Sequence, residues 1–176
     1  MGTPKALLDF RGETFLDRLI GVFSQFCSPV VVVVGHDAPR IQAGLRNPRQ
    51  AVFTENKDYK LGQLSSMQCG LRAIPETAGG VLFTLVDHPN VNPSTIQALL
   101  DRPALLAIPS FEGRRGHPIY FHRDLIAEFL ALPADSQAKA VVSRHAAAIR
   151  YVEVDDPGIL SDIDDPAAYR RLLETA

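Results

Sequence analysis

Tryptophan is absent from this 176-residue chain, and cysteine occurs only twice. Without an indole there is no ready stacking platform or cage for a methylated cation. Cys27 and Cys69 stand too far apart in the chain for a metal knuckle or a disulfide framework, so they read as buried free thiols. Charge of one sign is equally scarce. The 18 Lys and Arg against 20 Asp and Glu leave a formal net charge of −2, which provides no broad surface for nucleic acid. The longest apolar run, Pro29 to Gly35, falls far below the ~20 residues of a bilayer span. The amino end carries no charged-then-apolar leader pattern. These absences set the expectation of a soluble, cytoplasmic protein with neither a membrane nor a nucleic-acid partner. What is present is ordinary for a globular chain: 46% hydrophobic and 22% charged residues, with a length that suits one domain over residues 1–176.

The order of apolar patterns is more informative than their amount. Phe15, Leu19, Val22, Phe23 and Phe26 recur at helical spacing behind Thr14, a candidate N-cap, and predict a helix over 14–26. The stretch PVVVVVG that follows is β-branched with no polar alternation, the pattern of a strand covered on both faces in a parallel sheet. Further helices are predicted over 37–45, 62–74, 93–100, 123–132, 135–145 and 166–174, and strands over 50–54, 81–86, 105–109, 117–122 and 149–154. This alternation predicts an α/β three-layer sandwich with a mostly parallel central sheet, in which ligands lie beyond the carboxyl ends of the strands.

Four stretches combine polar groups with a strand end or a tight turn. Lys5 follows Pro4 at the start of an apolar segment; a lone lysine of this kind is ordinarily a solvated charge. In LVDHP a carboxylate, Asp87, stands where an apolar strand emerges, a position that serves either capping or ligand binding. In GQLSSMQCGL, Gly62 enters a helix whose first turn offers Ser65, Ser66 and free backbone N–H groups, suited to plain capping or to a polar ligand edge. In SDIDDPAAY, Asp165 is explained as the N-cap of a helix begun by Pro166, whereas Asp162 and Asp164 are not needed for capping. Asp87 and Asp162, hard oxygen donors from distant parts of the chain, would suit Mg²⁺ held together with substrate phosphates. Among the five histidines no zinc spacing appears. His117 alone is suggestively placed, between Gly116 and Pro118 behind the basic pair Arg114-Arg115.

Taken in order, MGTPKALL, GQLSSMQCGL, LVDHP, GRRGHPIYF and SDIDDPAAY resemble the motifs of the MobA-like nucleotidyltransferases, especially the molybdenum cofactor cytidylyltransferase branch. The resemblance runs along nearly the whole chain. It implies a single domain of the nucleotide-diphospho-sugar transferase (GT-A-like) type, and transfer of NMP from an NTP, CTP first and GTP second, to a phosphate-bearing acceptor such as molybdopterin. It implies Lys5, Asp87 and Asp162 as catalytic residues and Asp87 and Asp162 as ligands of Mg²⁺. Gly2, Lys5, Gly62, Ser66 and Asp87 would bind nucleotide, and Arg114, Arg115 and His117 the acceptor. In one departure, Gln137 stands where relatives often have a glycine. In another, Met1 to Lys5 match only the second half of the family's signature loop. The expectation is that about 15 residues of first strand and loop are missing, leaving a sheet gap that favours a homodimer. Rival readings are a sugar- or polyol-phosphate nucleotidyltransferase, and a catalytically impaired cofactor-binding or chaperone-like module.

Overall fold

The five valines at 30–34 alternate between two helical layers, which explains why no polar residue interrupts them. Val30 and Val32 pack with Leu16 and Ile20 of the helix α1 (Phe15–Phe23), whereas Val33 lies against Gly70 of α3 (Gln63–Arg72). Thr14 caps α1 as its sequence position predicts, its hydroxyl accepting from the Asp17 amide at 3.0 Å. The structure is a computed structural model that describes residues 2–102 and 104–174. In chain order it has β1 (Asp9–Phe10), β2 (Glu13–Thr14), α1, β3 (Val31–Val34), α2 (Ala38–Gly44), β4 (Val52–Glu55), α3, β5 (Gly80–Phe83), α4 (Pro93–Leu100), β6 (Leu106–Phe111), β7 (Arg114–Arg115), β8 (Ile119–His122), α5 (Ile126–Leu130), α6 (Lys139–Arg144), β9 (Ile149–Glu153) and α7 (Pro166–Glu174). Every predicted helix and strand is found, with ends that move by a few residues. The largest change is at 135–145, where only Lys139–Arg144 is α-helical.

Pairing divides the strands into two blocks beside the small β1–β2 hairpin. β3 and β4 pair in parallel, Val31 opposite Val52 through Val34 opposite Glu55. In the larger block β8 runs antiparallel between β5 and β6, β6 pairs in parallel with β9, and β7 folds back on the end of β6. α3 and α5 cover one face around Leu64, Met67, Phe121 and Phe129. α1 and α4 cover the other around Leu19, Phe23, Val91, Ile96 and Ile159. Among the described residues no strand pairs with the second edge of β3 or of β5. Those two edges border a cavity of about 690 Å³. Neither thiol is fully buried: Cys27 and Cys69 are free and half-exposed.

Candidate functional site

The site is sewn together by backbone contacts that tolerate no side chain. Downstream of β5 the chain turns through Asp87, His88 and Pro89; upstream of β8 it passes Gly116 and His117; after β9 it makes a 3-10 turn at Pro157–Leu160. A Cβ on Gly116 would stand 2.1 Å from the Ile159 carbonyl oxygen, and one on Gly158 would stand 2.1 Å from that of Asn90. The His117 amide donates to Ile159 at 3.0 Å, and the Ile163 amide to Asp87 at 3.1 Å. Buried Asp156 fixes the same turn by accepting from the Asn92 amide, the Thr95 hydroxyl and the Gly158 amide. The segment carrying Asp162 and Asp164 is thereby laid across the end of the strand that delivers Asp87.

Lys5 arrives from the opposite end of the chain, at the start of a 3-10 turn. Its Nζ donates to Asp87 Oδ2 at 3.5 Å and to Asp164 Oδ1. Burial alone would lower the Lys5 pKa, but the hydrogen bond that Lys5 donates to Asp164 and the charges of Asp87 and Asp164 outweigh it and raise it. One carboxylate oxygen from each of Asp87, Asp162 and Asp164 lies within 4.8 Å of the other two. Desolvation first, and then the negative charges of Asp87 and Asp164, push the Asp162 pKa up. Asp87 Oδ1 is buried with no hydrogen-bond partner among the described residues. Three hard oxygens brought close enough to repel each other, with an unsatisfied oxygen on Asp87, fit a divalent cation of the Mg²⁺ or Mn²⁺ kind.

Behind Asp87 lies a second polar group. The His88 ring sits 4.7 Å from that of His117, and both Nδ1 atoms are buried without a hydrogen-bond partner among the described residues. Burial lowers both imidazole pKa values, and the charge of His88 lowers that of His117 further. His88 and Asp164 are the members of the site that the sequence reading left out. For Asp164 the signal was present, since it shares the extended stretch of Asp162 and caps nothing. For His88 there was none beyond its place beside Asp87.

The remaining expected residues are placed as follows. Met1 lies outside the described residues, and Gly2 is exposed with open space where a side chain would be. Gly62 precedes α3 at φ 101°, in the left-handed region. Ser65 and Ser66 each accept from the Asn56 amide group, at 2.9 and 3.0 Å, and Ser66 lines the cavity beside β3. His117 is half-buried against His88. Arg114 and Arg115 are exposed on the β7 hairpin, with the Arg115 guanidinium 4.2 Å above the Tyr151 ring.

Comparison with known families matches the MobA-like NTP transferase domain to residues 1–149. The chain belongs to that family. It is therefore a member of a nucleotidyltransferase family, with the single-domain fold of that group. The chain is 26% identical over 171 residues to the molybdenum cofactor cytidylyltransferase of Escherichia coli, covering 94% of this chain and 85% of that protein. Its structure resembles that of Rv0371c from Mycobacterium tuberculosis with a TM-score of 0.84 and 27% identity, covering 100% of this chain and 92% of the other. A manganese complex of Rv0371c matches with a TM-score of 0.79 and 26% identity over 98% of this chain and 92% of the other. Among the described residues no helix is long and apolar enough to cross a membrane.

Proposed function

We propose that the chain transfers a nucleoside monophosphate from an NTP, preferably CTP, to a phosphate-bearing acceptor of the molybdopterin type, releasing pyrophosphate. The observation that supports this best is the meeting of Lys5 with Asp87 and Asp164, residues 82 and 159 positions away in the chain. An acceptor phosphate oxygen attacks the α-phosphorus, a new P–O bond forms, and the bond to the β-phosphate oxygen breaks with its electrons leaving on pyrophosphate. A phosphate nucleophile is already ionised at neutral pH, so no residue has to serve as a strong base. The chain's task is positioning and charge neutralisation.

In this reading Asp87, Asp162 and Asp164 hold Mg²⁺ or Mn²⁺, which supplies charge neutralisation at the reacting phosphate. Lys5 turns from Asp164 to the triphosphate and offsets charge on the departing pyrophosphate. Gly2 and Gly62 offer backbone amides to the nucleotide, and the Ser66 hydroxyl reaches its base or ribose. His117, Arg114 and Arg115 face the acceptor, whose phosphate favours cations and N–H donors. The deciding experiment is pyrophosphate release with Mg²⁺ or Mn²⁺, CTP, GTP or ATP, and molybdopterin. Turnover with CTP that needs both the cation and the acceptor is the expected result. Turnover only with a sugar or polyol phosphate would redirect the reading to that acceptor.

A further inference from the structure

We propose that Asn56 is a positioning residue of the nucleotide site: its carboxamide sets Ser66, and not Ser65, to present an O–H donor, so that the nucleoside is recognised there through a hydrogen-bond acceptor. This rests on the reading of the chain as a protein that binds an NTP. Asn56 directly follows β4 and is 6% exposed. Its amide donates to the Val34 carbonyl at 2.8 Å, which fixes its backbone to the end of β3. The side chain is fixed as well, because the Asp58 amide donates to Asn56 Oδ1 at 3.0 Å. A backbone N–H only donates, so the carboxamide oxygen belongs on that side and both Nδ2 hydrogens on the other. Those hydrogens go to the two serines, at 2.9 Å to Ser65 Oγ and 3.0 Å to Ser66 Oγ.

Each serine thus accepts one bond from Asn56, and the two differ in what becomes of their own proton. Ser65 commits its proton to the carbonyls of Gly62, at 2.8 Å, and Asp58, at 3.1 Å. A hydroxyl carries a single hydrogen, so Ser65 keeps none for a ligand. The Ser66 proton has no acceptor among the described hydrogen bonds, and it cannot turn to Asn56, whose facing atom is itself a donor. Its surroundings differ too. Gln63, Ser66, Met67 and Gly70 form the face of α3 that lines the cavity, together with Gly35 at the carboxyl end of β3. Ser65 lies off that face at helical spacing. The carboxyl end of parallel strands is where an α/β sheet takes its ligands. A base carbonyl, an unprotonated ring nitrogen or a ribose hydroxyl oxygen would each accept the Ser66 proton. In the run GQLSSMQCGL the two serines are equivalent candidates, and the hydrogen bonds of Asn56, Asp58 and Gly62 separate them.

The test is calorimetric titration of CTP with Mn²⁺ into the unaltered chain and into Ser65→Ala, Ser66→Ala, Asn56→Ala and Asn56→Asp, the last two also combined with Ser66→Ala. Ser66→Ala should weaken binding by about tenfold and Ser65→Ala by less than about threefold. Asn56→Asp is nearly isosteric and keeps the Asp58 contact, but it offers only acceptors, which take the Ser66 proton. It should therefore bind CTP more weakly than Asn56→Ala, whereas a purely structural role gives the reverse order. In the Ser66→Ala background the two Asn56 variants should agree within about threefold. Losses shared by CTP and 2′-deoxy-CTP place the acceptor on the base; losses confined to CTP place it on the 2′-hydroxyl. Should Asn56→Ala fold poorly, Asn56→Asp decides alone: a loss seen only when Ser66 is present supports the proposal. A loss of equal size without Ser66 marks charge repulsion of the triphosphate and overturns it, as does equal weakening by Ser65→Ala and Ser66→Ala. NTP binding that ignores Asn56 overturns the positioning role alone. An unaltered chain that binds none of CTP, GTP and ATP overturns the nucleotide reading and this inference with it.

Discussion

At the scale of single residues, Lys5 and Asp87 carry the sharpest expectations. Lys5→Met removes the only cation in contact with the acidic cluster among the described hydrogen bonds. It should lower pyrophosphate release by about 100-fold or more while leaving the fold intact, the scale of losing one group that meets developing charge. Asp87→Asn should remove Mn²⁺ binding by calorimetry with an unchanged circular dichroism spectrum. Asp156 makes a different kind of contribution. Its carboxylate is 2% exposed and accepts three hydrogen bonds. Asp156→Ala would leave the Asn92 and Gly158 amides and the Thr95 hydroxyl without that acceptor, and should cost about 2–4 kcal/mol in urea unfolding. Lys5 and Asp87 were singled out in the sequence by the ordered family motifs that contain them, since by itself Lys5 reads as a solvated charge and Asp87 as either a cap or a ligand. Asp156 was not legible, since its partners come from residues 92 and 95 on another element.

At the scale of elements, local rules set the pieces and glycines set their spacing. Thr14→Ala should destabilise by about 1 kcal/mol, because the hydroxyl that accepts from the Asp17 amide is lost while the buried face of α1 remains. Gly116→Ala should cost more and should also weaken cation binding. The added carbon meets the Ile159 backbone at 2.1 Å, and relief requires the turn before Asp162 to move away from β8. A Gly-His-Pro tripeptide in the sequence suggests a strand start, which β8 bears out; the close backbone approach that demands the glycine involves a turn more than 40 residues later and leaves no local trace. The valine run shows the converse case. Its lack of alternation reported burial on two faces, and the contacts of Val32 with α1 and of Val33 with α3 are the reason.

For the whole molecule, the buried His88–His117 pair makes stability depend on pH. Both imidazoles have pKa values below the ordinary 6.5, chiefly because burial disfavours the charged form. The unfolded chain then takes up these protons before the folded one does. Their stabilising contribution is complete above 6.5 and is lost as pH falls through the lowered folded values. The urea midpoint should therefore drop below pH 6.5, and His117→Phe should flatten the drop. Cation affinity should weaken in the same direction as acid protonates Asp162, whose pKa is raised by desolvation and by its acidic neighbours.

The sequence by itself determined the element order, the burial of the valine strand, the cap of α1, and the residue types suited to a cation and a triphosphate. Periodicity, turn residues and capping are local physics, and an ordered set of motifs survives in one dimension. Tertiary structure decided the rest: that Asp164 joins Asp87 and Asp162, that His88 stacks on His117, and that two apolar strand edges face one cavity. Those facts depend on which distant backbones touch, and spacing along the chain does not encode a contact made across it.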